Sequence, residues 1–389
     1  MTIRHDYDVA ILGAGLAGLS LAARLAAPAF AGLRVLVVEP RLAYARDRTW
    51  SYWALNPHPF QAAVAASWER WAVAAHDSQI VCAAAGLRYE SIPSDAFYRL
   101  ALDLIRAAPH VDLRLGESAT AVEHAGGVQV SFGSGSVRAA MAFDTRPPSG
   151  IRQHGLVQLF GGLEIETADP VFDADTAMLM DFRCSQAGAA HFTYVLPSSR
   201  HRALVEDTWF APFGLHPPDH LQAIRSYMRS RYGVERFETV FEEHGALPMD
   251  PVFQPGVGQR LFPLGVAGGA TRPSTGYAFH AIQSRCDSIA QDLQAGRLPQ
   301  PARPRPGMVR MMDRVLLDLL GRQPEQAPRI FAALFKYCEP RALVRFLNDS
   351  ARPTDFVAVA AAIPFVPTVT AALRLAMRRK EWSSSIVAG

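Results

Sequence analysis

Apolar residues recur along this chain with two periods, and the places where one gives way to the other mark its organisation. A β-branched and aromatic run from Tyr7 to Leu12 predicts a strand, the Ala/Leu pattern from Leu19 to Ala27 a helix, and the apolar run from Leu33 to Val38 a second strand. Phe97 to Ala107 then repeats at helical spacing. Val111 to Leu115, Val128 to Phe132 and Val137 to Phe143 read as strands, and Asp144 to Pro148 breaks the pattern. Short strand candidates follow between Val157 and Phe210, among them Met178 to Phe182, Phe192 to Leu196 and Ala203 to Thr208, which predict a mixed sheet roofing a pocket. Leu221 to Tyr232 is a helix. Leu261 to Ala267 regains strand character, which makes the amino-terminal domain discontinuous, and Ile282 to Leu293 is its next helix. The expected division is residues 1–150 and 258–298 for that domain, 151–257 for the mixed sheet and 299–389 for a helical region.

The carboxyl end differs in kind. Pro299, Pro301, Pro304 and Pro306 stiffen a linker. Met308, Met311, Val315 and Leu319 then form one helical stripe, and Phe331 to Leu347 continues as helices interrupted at Pro340. Phe356 to Leu373 contains no charged residue, but Pro364 and Pro367 argue against a simple membrane span. With Arg374, Arg378, Arg379 and Lys380 directly after it, the stretch predicts a patch lying on a membrane surface. The expected location is the cytoplasmic face of the membrane, peripheral or monotopic.

Gly13, Gly15 and Gly18 stand between the first strand and the first helix in GxGxxG spacing. In that context the loop, with Ala14, cradles a dinucleotide diphosphate at the helix N-terminus, and Glu39, ending the second strand, suits the hydroxyls of an adenosine ribose. A second Gly-rich turn, Gly268 to Gln283, lies about 250 residues on and fits a flavin ring: Gly268 and Gly269 admit close backbone approach, while Thr275 and Gly276 stand at a helix start facing the flavin. Arg272 is a candidate to steady flavin charge, and Arg48 to reach flavin or phosphate oxygens.

Composition narrows the field. The 389 residues are 49% hydrophobic, enough for one large or two intermediate domains, and a net charge of +3 gives no electrostatic case for nucleic acid. Cys82, Cys184, Cys286 and Cys338 lack metal-ligand spacing, so neither a metal site nor a disulfide framework is expected, and a reducing compartment is. The first apolar run is too short for a signal peptide. The number of subunits is not legible.

In Leu204 to Phe210, strand alternation puts Glu206, Thr208 and Phe210 on one face and Asp207 and Trp209 on the other. One acid, not both, therefore points into a pocket. An apolar cavity raises a carboxyl's pKa and keeps its proton available for transfer.

Four blocks together resemble the lycopene cyclase family in its bacterial flavin-dependent β-cyclase branch: DYDVAILGAGLAG from Asp6, DRTWSYW from Asp47, ALVEDTWF from Ala203 and GGATRPSTGYAF from Gly268. The resemblance runs from about Tyr7 to Leu347. It implies an α/β fold with a glutathione-reductase-like FAD-binding Rossmann domain, and a reaction in which the ψ ends of lycopene or related carotenes close to β-ionone rings, giving β-carotene through γ-carotene. It implies reduced FAD, with NAD(P)H as electron donor, although the reaction is non-redox overall. It assigns the catalytic acid to Glu206, with Asp207 as its partner. Trp50, Trp53, Trp209 and Tyr277 are the aromatic candidates for holding substrate and its cation. A flavin-dependent monooxygenase or polyprenyl reductase at the membrane is the alternative; it would show net redox chemistry.

Overall fold

Val9 to Leu12 and Val35 to Val38 are buried on both faces, as parallel strands covered from two sides must be. In the computed structural model, which describes residues 4–76, 78–133, 135–147, 155–215, 219–249, 258–364 and 367–375, they lie side by side in the first of three sheets. That sheet runs β8 (Val111–Leu115), β2 (Val35–Glu39), β1 (Tyr7–Leu12), β11 (Gly135–Asp144), β10 (Gly127–Phe132) and β9 (Ala119–His124). The first four are parallel neighbours, and β9 to β11 form an antiparallel meander. β17 (Leu261–Pro263) returns from 117 residues later to pair with the end of β11, Ala142 to Asp144. Helices α1 (Leu16–Leu25), α2 (Ser94–Arg106) and α4 (Phe279–Gln294) share one apolar core with β1 and β2.

The second sheet has the order β16 (Glu238–Pro248), β12 (Leu156–Glu166), β15 (Arg202–Pro212), β14 (Ala190–Pro197), β13 (Thr176–Asp181), β5 (Arg70–Ala75) and β6 (Ser78–Ala83). β5 and β6 fall inside the 1–150 stretch assigned to the nucleotide domain, yet they extend this sheet, β5 running parallel to β13. A small third sheet, β3 (Thr49–Trp53), β7 (Tyr89–Pro93) and β4 (Ala66–Trp68), bridges the two. One face of the second sheet packs on α3 (His220–Tyr232) through Ile224, Tyr227 and Met228. The other packs on the carboxyl-terminal helices α5 (Gly307–Arg322), α6 (Ala327–Tyr337), α7 (Pro340–Leu347) and α8 (Pro353–Ala362) in the largest apolar cluster of the molecule.

Local sequence explains several boundaries. The helical run breaks at Cys338 and Glu339, as expected at Pro340, and Pro340 starts α7 at its first turn, where the missing N–H costs nothing. Glu339 caps it by accepting from the N–H groups of Arg341 and Ala342. Among the described residues no single helix is long and apolar enough to cross a membrane; α8 and the helical stretch Pro367–Leu375 form a pair bent by 119°. Arg374 is tied to Asp318 at 2.8 Å, whereas Arg378, Arg379 and Lys380 lie outside the described residues.

Candidate active site

The first glycine loop is built by contacts that leave no alternative residue at two positions. Gly13 has φ +91°, a conformation that disfavours a side chain, and the Thr145 hydroxyl closes on it by donating to the carbonyls of Leu12 and Gly13, each at 2.9 Å. A Cβ on Gly18 would lie 2.0 Å from the Gly13 carbonyl oxygen. Gly15 differs: its nearest neighbour to a Cβ would be Arg41 at 4.0 Å, so the missing side chain leaves open room above the start of α1. The first turn of α1 has neither a side-chain cap nor an acidic residue. Its N–H groups and dipole therefore suit a diphosphate. Glu39, buried, accepts from the Ala14 N–H at 2.6 Å and from Arg41 Nε at 2.7 Å, which fixes the acid against the loop. The donors and the space fit the adenine-dinucleotide half of FAD. Arg48 stands apart, largely exposed and paired with Asp47 at 3.1 Å.

The second glycine turn joins this loop to the second sheet. Gly265 packs on α1, where a Cβ would come within 2.9 Å of Ala17, and Gly268 folds tightly over the Pro263 carbonyl. Gly269 and Gly276 both have positive φ. A Cβ on Gly276 would meet Gln158 Oε1 of β12 at 2.7 Å, so the turn lies against the sheet. α4 begins only at Phe279, three residues beyond Gly276. Arg272 is not free to meet a flavin: fully buried, it donates to Asp313 of α5 at 2.9 and 3.1 Å, donates to the Phe346 carbonyl and stacks on the Phe346 ring. Its role is to brace the turn against α5 and α7, and Arg305 reinforces it by donating to the carbonyls of Gly269, Ala270 and Thr271.

The two acids of β15 part company as alternation requires. Asp207 faces α3 and is almost completely buried. It is held by His191 Nε2 at 2.5 Å, His220 Nδ1 at 2.8 Å and Trp209 Nε1 at 2.8 Å. Burial alone would raise its pKa, but the hydrogen bonds from the two histidines, with that of Trp209, hold it below the usual carboxylate range. Gly161 makes room for the arrangement, because a Cβ there would touch the His220 ring. Glu206 points the other way. It is half-buried, on the face of β15 shared with Phe210. Burial pushes its pKa up, the charge of Asp207 adds to this, and a 2.8 Å hydrogen bond from Thr208 only partly opposes it.

Around Glu206 the sheet register assembles residues that no local pattern marks. Tyr194 is its partner on β14, and Gly162 its partner on β12. Tyr277, from the second glycine turn, interacts with the hydroxyls of Tyr89 and Tyr194, and burial raises the pKa of all three phenols. Beside them opens an apolar cavity. Trp53, Tyr194, Phe210 and Tyr277 line it at the sheet, and Phe331, Phe335 and Phe346 line it from the helices. Thr275, expected beside the flavin, also lines it.

Two aromatic assignments need correcting. Trp209 lies on the Asp207 face, stacked on His191 at 3.7 Å between centroids, and does not reach the cavity. Trp50 packs on Phe97 and Tyr98 of α2 in the nucleotide-domain core. Trp53 and Tyr277 do meet at the cavity, 5.4 Å apart edge to face.

Comparison with known proteins settles the family. The model of the lycopene cyclase protein family matches residues 8–373. The chain belongs to that family. A lycopene beta-cyclase of Paracoccus sp. (strain N81106 / MBIC 01143) is 27% identical over 300 residues, 73% of each chain. Solved structures share the fold at lower identity. A geranylgeranyl bacteriochlorophyll reductase-like protein from Thermoplasma acidophilum superposes with TM-score 0.61 at 14% identity, over 94% of this chain and 98% of that one. HpxO of Klebsiella pneumoniae, solved with FAD and uric acid, gives TM-score 0.61 at 17% identity, over 89% and 97%. The fold is one shared by these proteins, of which HpxO was solved with FAD, and it includes the helical region.

Proposed function

We propose that this enzyme cyclises the ψ ends of lycopene, or of related acyclic carotenes, to β-ionone rings, giving β-carotene by way of γ-carotene. The observation that carries the reading is Glu206: a carboxyl whose pKa burial pushes up to about 7, on the cavity face of the sheet, beside the tyrosines of an apolar pocket. Delivery of its proton to C2 of the terminal double bond leaves positive charge at C1. The C5=C6 electrons close the ring and move the charge to C5, and loss of the C6 proton leaves the ring double bond. Tyr277 and Trp53 present ring faces and edges to the pocket, each worth about 1–2 kcal/mol to a desolvated cation when a face is offered. The apolar walls keep out water, which would trap the cation as an alcohol.

Gly13, Ala14, Gly15, Gly18 and Glu39 would hold the dinucleotide of FAD, and Gly268, Gly269, Thr275 and Gly276 the ring side. Reduced FAD, when bound, would supply negative charge that favours a cationic intermediate, and NAD(P)H is the proposed electron donor. The oily substrate is drawn from a membrane surface at the carboxyl-terminal helices, a reading supported by exposed Met308 and Met311 on α5, Val357 on α8 and Leu373 beyond it. The test is Glu206→Gln in the FAD-loaded protein. Turnover of lycopene should fall by about 10²–10⁴-fold with FAD still bound; undiminished turnover would remove Glu206 from the acid role.

A further inference from the structure

Glu206 is not alone on its face of the sheet. β12 runs between β15 and β16, and Gly162 is the register partner of Glu206 on one side and of Glu243 on the other. The two acids therefore flank a residue without a side chain. A Cβ on Gly162 would lie 3.2 Å from Glu243 Cγ, 3.3 Å from Leu204 Cδ1 and 3.5 Å from Glu206 Cβ, so both acids border the same gap, with Leu204 packed beside them. Glu243 is buried, and its Oε2 has no hydrogen-bond partner among the described residues. A buried, unsatisfied carboxylate oxygen costs more than almost any other polar group, and a shared proton is the economical way to relieve it.

We propose that Glu243 and Glu206 share one proton across Gly162, and that Glu243 stores the proton that reloads Glu206 between ring closures. The inference rests on the cyclase reading above. The pair starts with one proton, delivers it to C2 of the substrate, and regains one when C6 releases its hydrogen, whose bonding electrons remain in the new C5=C6 double bond. The regained proton exchanges with solvent before the next ring closure. No electron is exchanged, and the pair ends as it began. Glu243 is thus a positioning residue, acting on the substrate only through Glu206.

The surroundings agree with a shared proton. Burial pushes Glu243 up and the charge of Glu206 pushes it further, while Thr49 and Arg46 oppose the shift. Arg46 is itself committed to Glu164 and to the Phe241 ring. Tyr89, Tyr194 and Tyr277 face Glu206 from β7, β14 and the glycine turn, all protonated. Asp207 and His220 act on it from behind the sheet with opposite signs. Like charges this close do not both ionise readily, so the pair gives up its last proton at higher pH than one acid would alone.

The experiment compares wild type, Glu243→Gln and Glu243→Asp as FAD-loaded, reduced enzymes on liposomal lycopene. Glu243→Gln should lower kcat at least tenfold with KM unchanged and move the alkaline limb of the kcat–pH profile to lower pH by about one unit. Glu243→Asp should restore much of both. Infrared titration of the substrate-free holoenzyme should show the protonated-carboxyl band disappearing at lower pH in Glu243→Gln than in wild type. An unmoved limb and an unmoved band in folded, flavin-loaded Glu243→Gln would overturn the proposal. Those results with Glu206→Gln inactive would leave the cyclase reading standing; an active Glu206→Gln would remove the reading itself.

Discussion

Two neighbouring carboxyls of β15 meet opposite fates because a strand alternates. Asp207 is satisfied three times over and its pKa falls; Glu206, on the opposite face, has its pKa pushed up to about 7 by burial. The raised pKa values of Glu206 and Glu243 have a consequence for stability. A carboxyl whose folded pKa exceeds its unfolded value binds more protons when folded, so its contribution is full below the unfolded pKa near 4.5 and is lost as pH rises through the folded one. Thermal stability of the wild type should therefore fall from pH 5 towards 9 more steeply than that of Glu206→Gln; parallel curves would contradict the raised pKa assigned to Glu206. Trp209, by contrast, serves the Asp207 cluster. Trp209→Phe should cost about 1–3 kcal/mol of stability with no change in KM, as measured by denaturant unfolding and steady-state kinetics. A raised KM at intact stability would return Trp209 to the substrate.

Elements carry the next level. The glycine loop was legible because strand, turn and helix are contiguous: Gly13 and Gly18 are demanded by atoms within a few residues and by Thr145. Which of the β15 acids faces inward was not legible from alternation alone, which says only that Glu206 and Asp207 differ. Alternation did place Trp209 with Asp207, and its reading as a substrate residue fails because that face carries the His191 cluster and not the cavity. Glu243 left no local signal. β16 is polar along much of its length, and the partnership depends on register through β12, set by pairings tens of residues apart. The same non-local pairing put β5 and β6 beyond the reach of a linear domain division. The second glycine turn shows how elements are fastened together, since Arg272 and Ser274 both donate to Asp313 of α5. Arg272→Ala would leave a buried carboxylate without its cation, and a loss of about 3–5 kcal/mol is expected in chemical denaturation. A loss below 1 kcal/mol would show that the turn does not depend on this brace.

At the scale of the whole molecule, the second sheet, the second glycine turn and the carboxyl-terminal helices line one pocket, and the first sheet stands beside that turn. The first sheet supplies a nucleotide cradle, the second an acid on a rigid strand, and helices α5 to α8 an apolar roof. The second glycine turn touches all three, through α1, β12 and α5. Such an assembly suits a hydrocarbon that must be protonated away from water while its oxidation level stays unchanged. The most direct measurement is anaerobic turnover of liposomal lycopene by the reduced FAD-loaded enzyme in deuterated water, followed by mass and position analysis of the product. Proton-initiated cyclisation predicts one solvent deuterium at C2 of each new ring, with no hydride taken from the reductant. A product carrying labelled hydride, or rings formed without solvent deuterium at C2, would contradict it.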